Sequence, residues 1–209
     1  MCGLASVSSA ALVVTLGDFH ADGYGANVTG WFDGNHGGNP WDDTFTDTNS
    51  PFPGTGGDKS QAVFSGSGGE QNFLYQVIGT RETIDTALDF SIGLTAFGSA
   101  LAGTLTVGLY QSATFSGADG TDVHGGAGVT QIGSTVTLAV ARAANQAAYE
   151  TGSISLTTAN TTDPIFLRFH FTSAYMGADN ISVTPIPEPA TMALLGLGGL
   201  GLILGRKRR

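Results

Sequence analysis

The stretch PIFLRFHF (residues 164–171) places Ile165, Leu167, Phe169 and Phe171 on one side of an extended chain and Phe166, Arg168 and His170 on the other. A side-chain period of two is the signature of a β-strand with one face turned to a core. The same alternation recurs on both sides of it. In TLTVGLYQ (104–111) Leu105, Val107 and Leu109 share a face, and STVTLAV (134–140) does likewise with Val136, Leu138 and Val140. GSISL (152–156) repeats it with Ile154 and Leu156, while QAVF (61–64) and QNFLYQVI (71–78) flank a Gly/Ser loop. Thr83 to Phe90 leads into a strand through IDTALDFSIGL. Short strands joined by Gly-rich connections predict an all-β antiparallel sandwich of jelly-roll type over residues 12–184. The only long apolar run without that period is the C-terminal tail, read as a single short transmembrane helix.

Charge is distributed unevenly. The chain has 8 Lys and Arg, and Arg206, Lys207, Arg208 and Arg209 are its last four residues. Against 17 acidic residues the rest of the chain sets only Lys59, Arg81, Arg142 and Arg168. Such a body repels phosphate backbones, which excludes nucleic acid as a partner. The one cysteine, Cys2, forms no internal disulfide and no thiolate metal site.

The end of the chain, TPIPEPATMALLGLGGLGLILGRKRR, has three parts. Pro187, Glu188 and Pro189 are followed by 16 uncharged residues from Ala190 to Gly205, then by four cations. As a helix the uncharged run would be ~24 Å long, against a bilayer core of ~30 Å. Its five glycines disfavour a soluble helix and are tolerated in a membrane one. Arg206, Lys207, Arg208 and Arg209 would stay on the cytoplasmic side as a membrane stop. The prolines keep the preceding segment extended. This order of parts resembles the PEP-CTERM sorting signal of Gram-negative bacteria over residues 185–209. The resemblance implies an exosortase as partner, with Pro187, Glu188 and Pro189 as recognition residues. It also implies transient membrane anchoring and delivery to the cell surface or beyond, often alongside exopolysaccharide export. At the other end, residues 1–11 read as the remnant of a signal peptide, with a cleavage site near Ser8, Ser9 and Ala10.

The body carries a second, looser resemblance. LGDFHADGYGANVTGW (16–31), FLYQVIGTRETIDTALDFSIG (73–93) and LRFHFTSAYMGADNISV (167–183) resemble the opening, central and closing strands of galactose-binding-like, carbohydrate-binding jelly rolls. That resemblance implies a structural calcium where the first and last strands meet, with Asp179 at the closing position and Asp18 as the opening ligand. His20 stands where a glutamate would be expected, and imidazole suits calcium poorly. No other cofactor is expected.

Candidate catalytic patterns do not assemble. The histidines (His20, His36, His124, His170) lack metalloprotease spacing, and Asp42 and Asp43 point to opposite faces of an extended chain. FSGSGGE lacks a strand–turn–helix context, and PGTGGDKS (53–60) lacks the Gly-Lys-Ser/Thr end of a phosphate loop. GADGTDVHGG (117–126), with Asp119 and Asp122, reads as an acidic turn, and His170, on a strand face beside Arg168, as a sheet-surface residue. Aromatic rings suit the apolar face of a sugar. Trp41, in GGNPWDDTF, and Tyr110 are the candidate glycan contacts, whereas Trp31 is expected in the core. The sequence thus points to a non-enzymatic exported surface or matrix protein with glycan or exopolysaccharide as ligand. The alternatives are a secreted polysaccharide hydrolase or a purely structural matrix component.

Overall fold

Alternating apolar residues bury one face of the long strands, and two such faces closed on each other give the observed architecture. The structure is a computed structural model. It describes residues 12–15, 30–33, 44–47, 61–64, 73–83, 85–96, 101–118, 121–172 and 176–188. The strands among them are β1 (Phe32–Asp33), β2 (Thr44–Asp47), β3 (Gln61–Phe64), β4 (Phe73–Gly79) and β5 (Asp85–Ala96). They continue with β6 (Leu101–Gln111), β7 (Thr130–Arg142), β8 (Ala147–Ser155), β9 (Ile165–Phe171) and β10 (Met176–Pro187). Sheet A has the order β1-β4-β9-β6-β7 and sheet B the order β2-β3-β10-β5-β8, and every pairing is antiparallel.

The pairings are nested. β6 pairs β7, β5 pairs β8, β4 pairs β9 and β3 pairs β10. A chain doubled back once and rolled up gives this order, which is that of a jelly roll; β1 and β2 extend its two edges. The core between the sheets holds Leu88, Phe90, Ile92 and Leu94 of β5, Leu105, Val107 and Leu109 of β6, and Ile165, Leu167, Phe169 and Phe171 of β9. Trp31 joins it, tilted against Phe169 at 6.3 Å between centroids. Gln76, on the inner side of β4, clips the entering chain. Its amide accepts from the N–H of Thr15 (2.8 Å) and donates to the carbonyls of Thr15 (2.8 Å) and Gly30 (2.7 Å). At the opposite edge, Arg142 of β7 and Glu150 of β8 form an ion pair where the two sheets meet.

Some strands extend beyond the stretches read from the sequence. β7 begins four residues before the STVTLAV stretch, across a bulge between the Val107–Val136 and Leu109–Ile132 pairs. Gly133, at φ 61° within that bulge, permits the extra residues, so Ile132 rejoins the core. β10 runs on to Pro187, three residues past the expected end of the body. Residues 1–11 and the apolar run with its basic end lie outside the described residues. Among the described residues no helix is long and apolar enough to cross a membrane.

Candidate functional site

The two outer faces of the sandwich differ in kind. On sheet A several of the outward side chains are themselves apolar. Phe73 and Tyr75 of β4, Tyr110 of β6 and Phe166 of β9 form a second buried cluster. The β6–β7 connection roofs it with Phe115, Val123 and Val129, and Phe32 stacks on Tyr75 at 5.1 Å between centroids. Phe115 meets Phe166 edge-on at 5.5 Å. The Tyr75 hydroxyl accepts the N–H of Ala118 (3.0 Å) and donates to the Thr121 carbonyl (2.8 Å). Gly117 sits at φ 79°, and a Cβ there would lie 2.5 Å from the Phe32 ring, so the roof closes only over glycine.

Arg168, on the same side of β9 as Phe166, is 6% exposed. Its guanidinium donates through both Nε (2.6 Å to Oδ1) and Nη2 to the carboxylate of Asp122, and it lies 5.9 Å from the centre of the Phe73 ring. The acidic turn of the sequence reading is therefore the counter-ion of a buried cation. Asp122 Oδ1 also accepts the N–H of His124 (3.0 Å). Tyr110, a candidate sugar contact, is 3% exposed, with its hydroxyl 3.1 Å from Nδ1 of His124. Burial raises the Tyr110 phenol above its ordinary pKa, the Arg168 guanidinium opposes that rise, and Asp122 adds to it. Its ring faces are taken up by packing.

Sheet B presents the opposite surface. The outward residues of β10, β5 and β8 fall into rows set by strand register. One row is Ser182, Ser91 and Thr151; the next is Thr184, Asp89 and Ser153. Neighbours within a row stand ~4.8 Å apart and the rows ~7 Å apart. Together with Phe90 and Gly152 these six side chains line an open groove of about 450 Å³. Among the groove's lining residues the single charge is Asp89.

Next to the first row, Gly93 of β5 faces Tyr149 of β8 and Asp179 of β10. The Tyr149 hydroxyl accepts from Nδ2 of Asn180 at 3.2 Å. To reach it, the Tyr149 side chain crosses β5 over the glycine that offers no side chain in its way. It stays 52% exposed. An aromatic ring laid across the sheet beside a hydroxyl-lined groove is the pairing of surfaces that a sugar requires. Sequence reading passed over Tyr149, because only the register with Gly93 distinguishes it from any other strand tyrosine.

The remaining expected site residues divide by location. Trp41 and Asp18 lie outside the described residues. Asp179 is fully buried on β10, where its Oδ1 accepts the N–H of Asn180 at 2.6 Å, and Asn180 itself adopts φ 49° beside an irregularity in the ladder. Among the described residues no three His, Cys, Asp or Glu side chains converge as metal ligands. Of the Pro187, Glu188 and Pro189 triplet, Pro187 ends β10, Glu188 is exposed, and Pro189 lies outside the described residues.

Known structures share this architecture. The CBM22-1 xylan-binding domain of Paenibacillus barcinonensis Xyn10C is 11% identical, with a TM-score of 0.50 over 82% of this chain and 92% of its own. The enzymatically active domain of bacteriophage CBA120 tailspike protein 4 is also 11% identical, with a TM-score of 0.51 over 83% of this chain. The present chain spans only 21% of that tailspike chain. A family 16 carbohydrate-binding module gives 12% identity and a TM-score of 0.37 over 68% of this chain and 84% of its own. At 11% identity the likeness to the first two is one of fold alone, that of an antiparallel β-sandwich. No curated protein sequence matches the chain. Residues 185–209 match the PEP-CTERM protein-sorting motif. The chain therefore carries a PEP-CTERM sorting tail, which indicates export and sorting to the cell surface.

Proposed function

We propose that this is an exported surface protein whose sandwich binds a neutral glycan on the outer face of sheet B, as a binder and not as a catalyst. The observation that carries the reading is the groove of five hydroxyls around Asp89, with Tyr149 laid across the sheet beside it. Hydroxyls and a carboxylate match the alternating donors and acceptors of a sugar, and the tyrosine ring gives its apolar face a seat. Uronate, sulfate or phosphate groups would meet Asp89 with no cation among the lining residues to offset it. Glycoside hydrolysis ordinarily takes two carboxylates ~5–10 Å apart on either side of one bond. Asp89 is the single carboxylate among the groove's lining residues, which favours binding over cleavage.

The sorting tail supports processing by an exosortase in a Gram-negative host, after transient anchoring through the apolar run between Ala190 and Gly205. Trp41, ahead of β2, is a second proposed contact from the sequence reading. A calcium ion held by Asp179 and Asp18 is proposed on the same footing, with the complete burial of the Asp179 carboxylate in its favour.

The test is a binding screen of purified protein against neutral and anionic polysaccharides, with reducing-sugar release followed in the same samples. Binding to neutral chains that weakens at least about tenfold in Tyr149→Ala, ~1.4 kcal/mol, is the expected result. Sugar release would replace the binder with a hydrolase. Loss of binding in Trp41→Ala alone would move the site to the β2 edge. A chelator that lowers the thermal midpoint in wild type but not in Asp179→Asn would identify the calcium.

A further inference from the structure

The sorting motif and the folded body overlap. The motif begins at residue 185, yet β10 continues through Pro187. Pro185 pairs with Leu88, Ile186 with Ala87 and Pro187 with Asp85. Thr86 Oγ1 donates to the carbonyl of Ile186 at 3.1 Å. The partner strand is held in turn. The Asp85 carbonyl accepts from Arg81 Nε (2.8 Å), Arg81 Nη1 reaches the Ala159 carbonyl (2.9 Å), and the Thr86 carbonyl accepts the N–H of Leu156 (2.8 Å). Beyond this clamp Glu188 is exposed and unpaired in the ladder.

Resting on the reading of the tail as a processed signal, we infer that the sandwich itself sets the upstream limit of processing. Enzymes that cut or transfer peptides take the chain as an extended strand along their own backbone. Residues 185–187 already have such a partner in β5, so the bonds open to the enzyme begin at Pro187–Glu188. In hydrolysis that bond exchanges its C–N linkage for a C–O bond to water, and the departing tail takes up the proton at its new amino end. Only Glu188 and Pro189 separate the ladder from the uncharged run that starts at Ala190. Extended, two residues span ~7 Å. The enzyme therefore works in a gap bounded by the folded sheet on one side and the apolar run on the other.

Two readouts on the full chain test this. Protein recovered from the surface of an exosortase-bearing host is analysed by mass spectrometry for its C-terminus, and amide exchange is followed in the unprocessed chain. The expected mature end lies at Pro187 or later. The Ile186 amide should exchange at least about tenfold more slowly than that of Glu188, and Thr86→Val should speed exchange at Ile186 but not at Leu94. A mature end at Ile186 or earlier, or equal exchange at Ile186 and Glu188, overturns the inference. An intact Arg209 on surface protein would instead refute processing, and the exchange measurement would still decide whether the body holds the start of the motif.

Discussion

The outer face of sheet A and the outer face of sheet B are built on the same rolled chain and have opposite fates. The first carries Phe73, Tyr75, Tyr110 and Phe166 and is closed by the β6–β7 connection. The second carries Ser91, Thr151, Ser153, Ser182 and Thr184 and is open. A jelly roll has two such faces, and apolar content decides which needs a cover. Exposed aromatic area on sheet A would cost ~25 cal/mol for every Å² left in water, so a roof there is stabilising. Hydroxyls on sheet B already satisfy water, which leaves that face free to exchange water for a ligand.

The contrast can be broken most forcefully at Phe166. Phe166→Ala would empty the centre of the roofed cluster and is expected to cost ~3–5 kcal/mol in denaturant unfolding, while glycan binding by the protein that remains folded stays unchanged. Loss of binding in step with stability would mean that the faces are not independent. Tyr75→Phe strips the hydroxyl that holds Ala118 and Thr121. It should cost ~1–3 kcal/mol and speed amide exchange at Ala118 while leaving Ile132 unaffected. On the open face, Tyr149→Ala should shift stability by no more than ~0.5 kcal/mol, although it is the substitution expected to weaken binding most. A stability loss like that of Phe166→Ala would make Tyr149 a packing residue.

The smallest effect concerns pH. Asp85 lies at the foot of the sheet B face, where burial, opposed by the N–H of Glu82, raises its carboxyl above the ordinary pKa. A raised pKa means that the folded protein holds this proton more tightly than the unfolded chain. The group thus favours folding as pH falls from above the raised value toward the ordinary one. Thermal midpoints of Asp85→Asn should exceed wild type most near neutral pH and approach it as pH drops through that window. A pH-independent difference would refute the assignment.

The inner core was legible because each of its strands announces itself locally. Ile165, Leu167, Phe169 and Phe171 need no knowledge of their partners to be placed inside. The roof was not legible, since Phe115, Val123 and Val129 are scattered through a Gly-rich connection without a period. A hint did exist in PIFLRFHF, where Phe166 makes both sides of the strand apolar near its start. The groove was hidden for a different reason. Ser91, Thr151 and Ser182 come from three strands and become neighbours only through register, which no single stretch of sequence encodes. The pairing of Arg168 with Asp122 was hidden for the same reason, the counter-ion lying on a connection remote in the chain.

The nested pairing has a consequence for the order of events in an exported chain. β10 lies between β3 and β5, and Met176 pairs with Phe64 across most of the body's length. Local hairpins such as β6–β7 can form as the chain emerges, but sheet B lacks an interior strand until residues 176–187 arrive. The last three of those residues are also the first of the sorting motif. Completion of the fold and delivery of the address are thus a single event in time: a chain that stops short of its signal also stops short of its native state, and would be open to quality-control proteases.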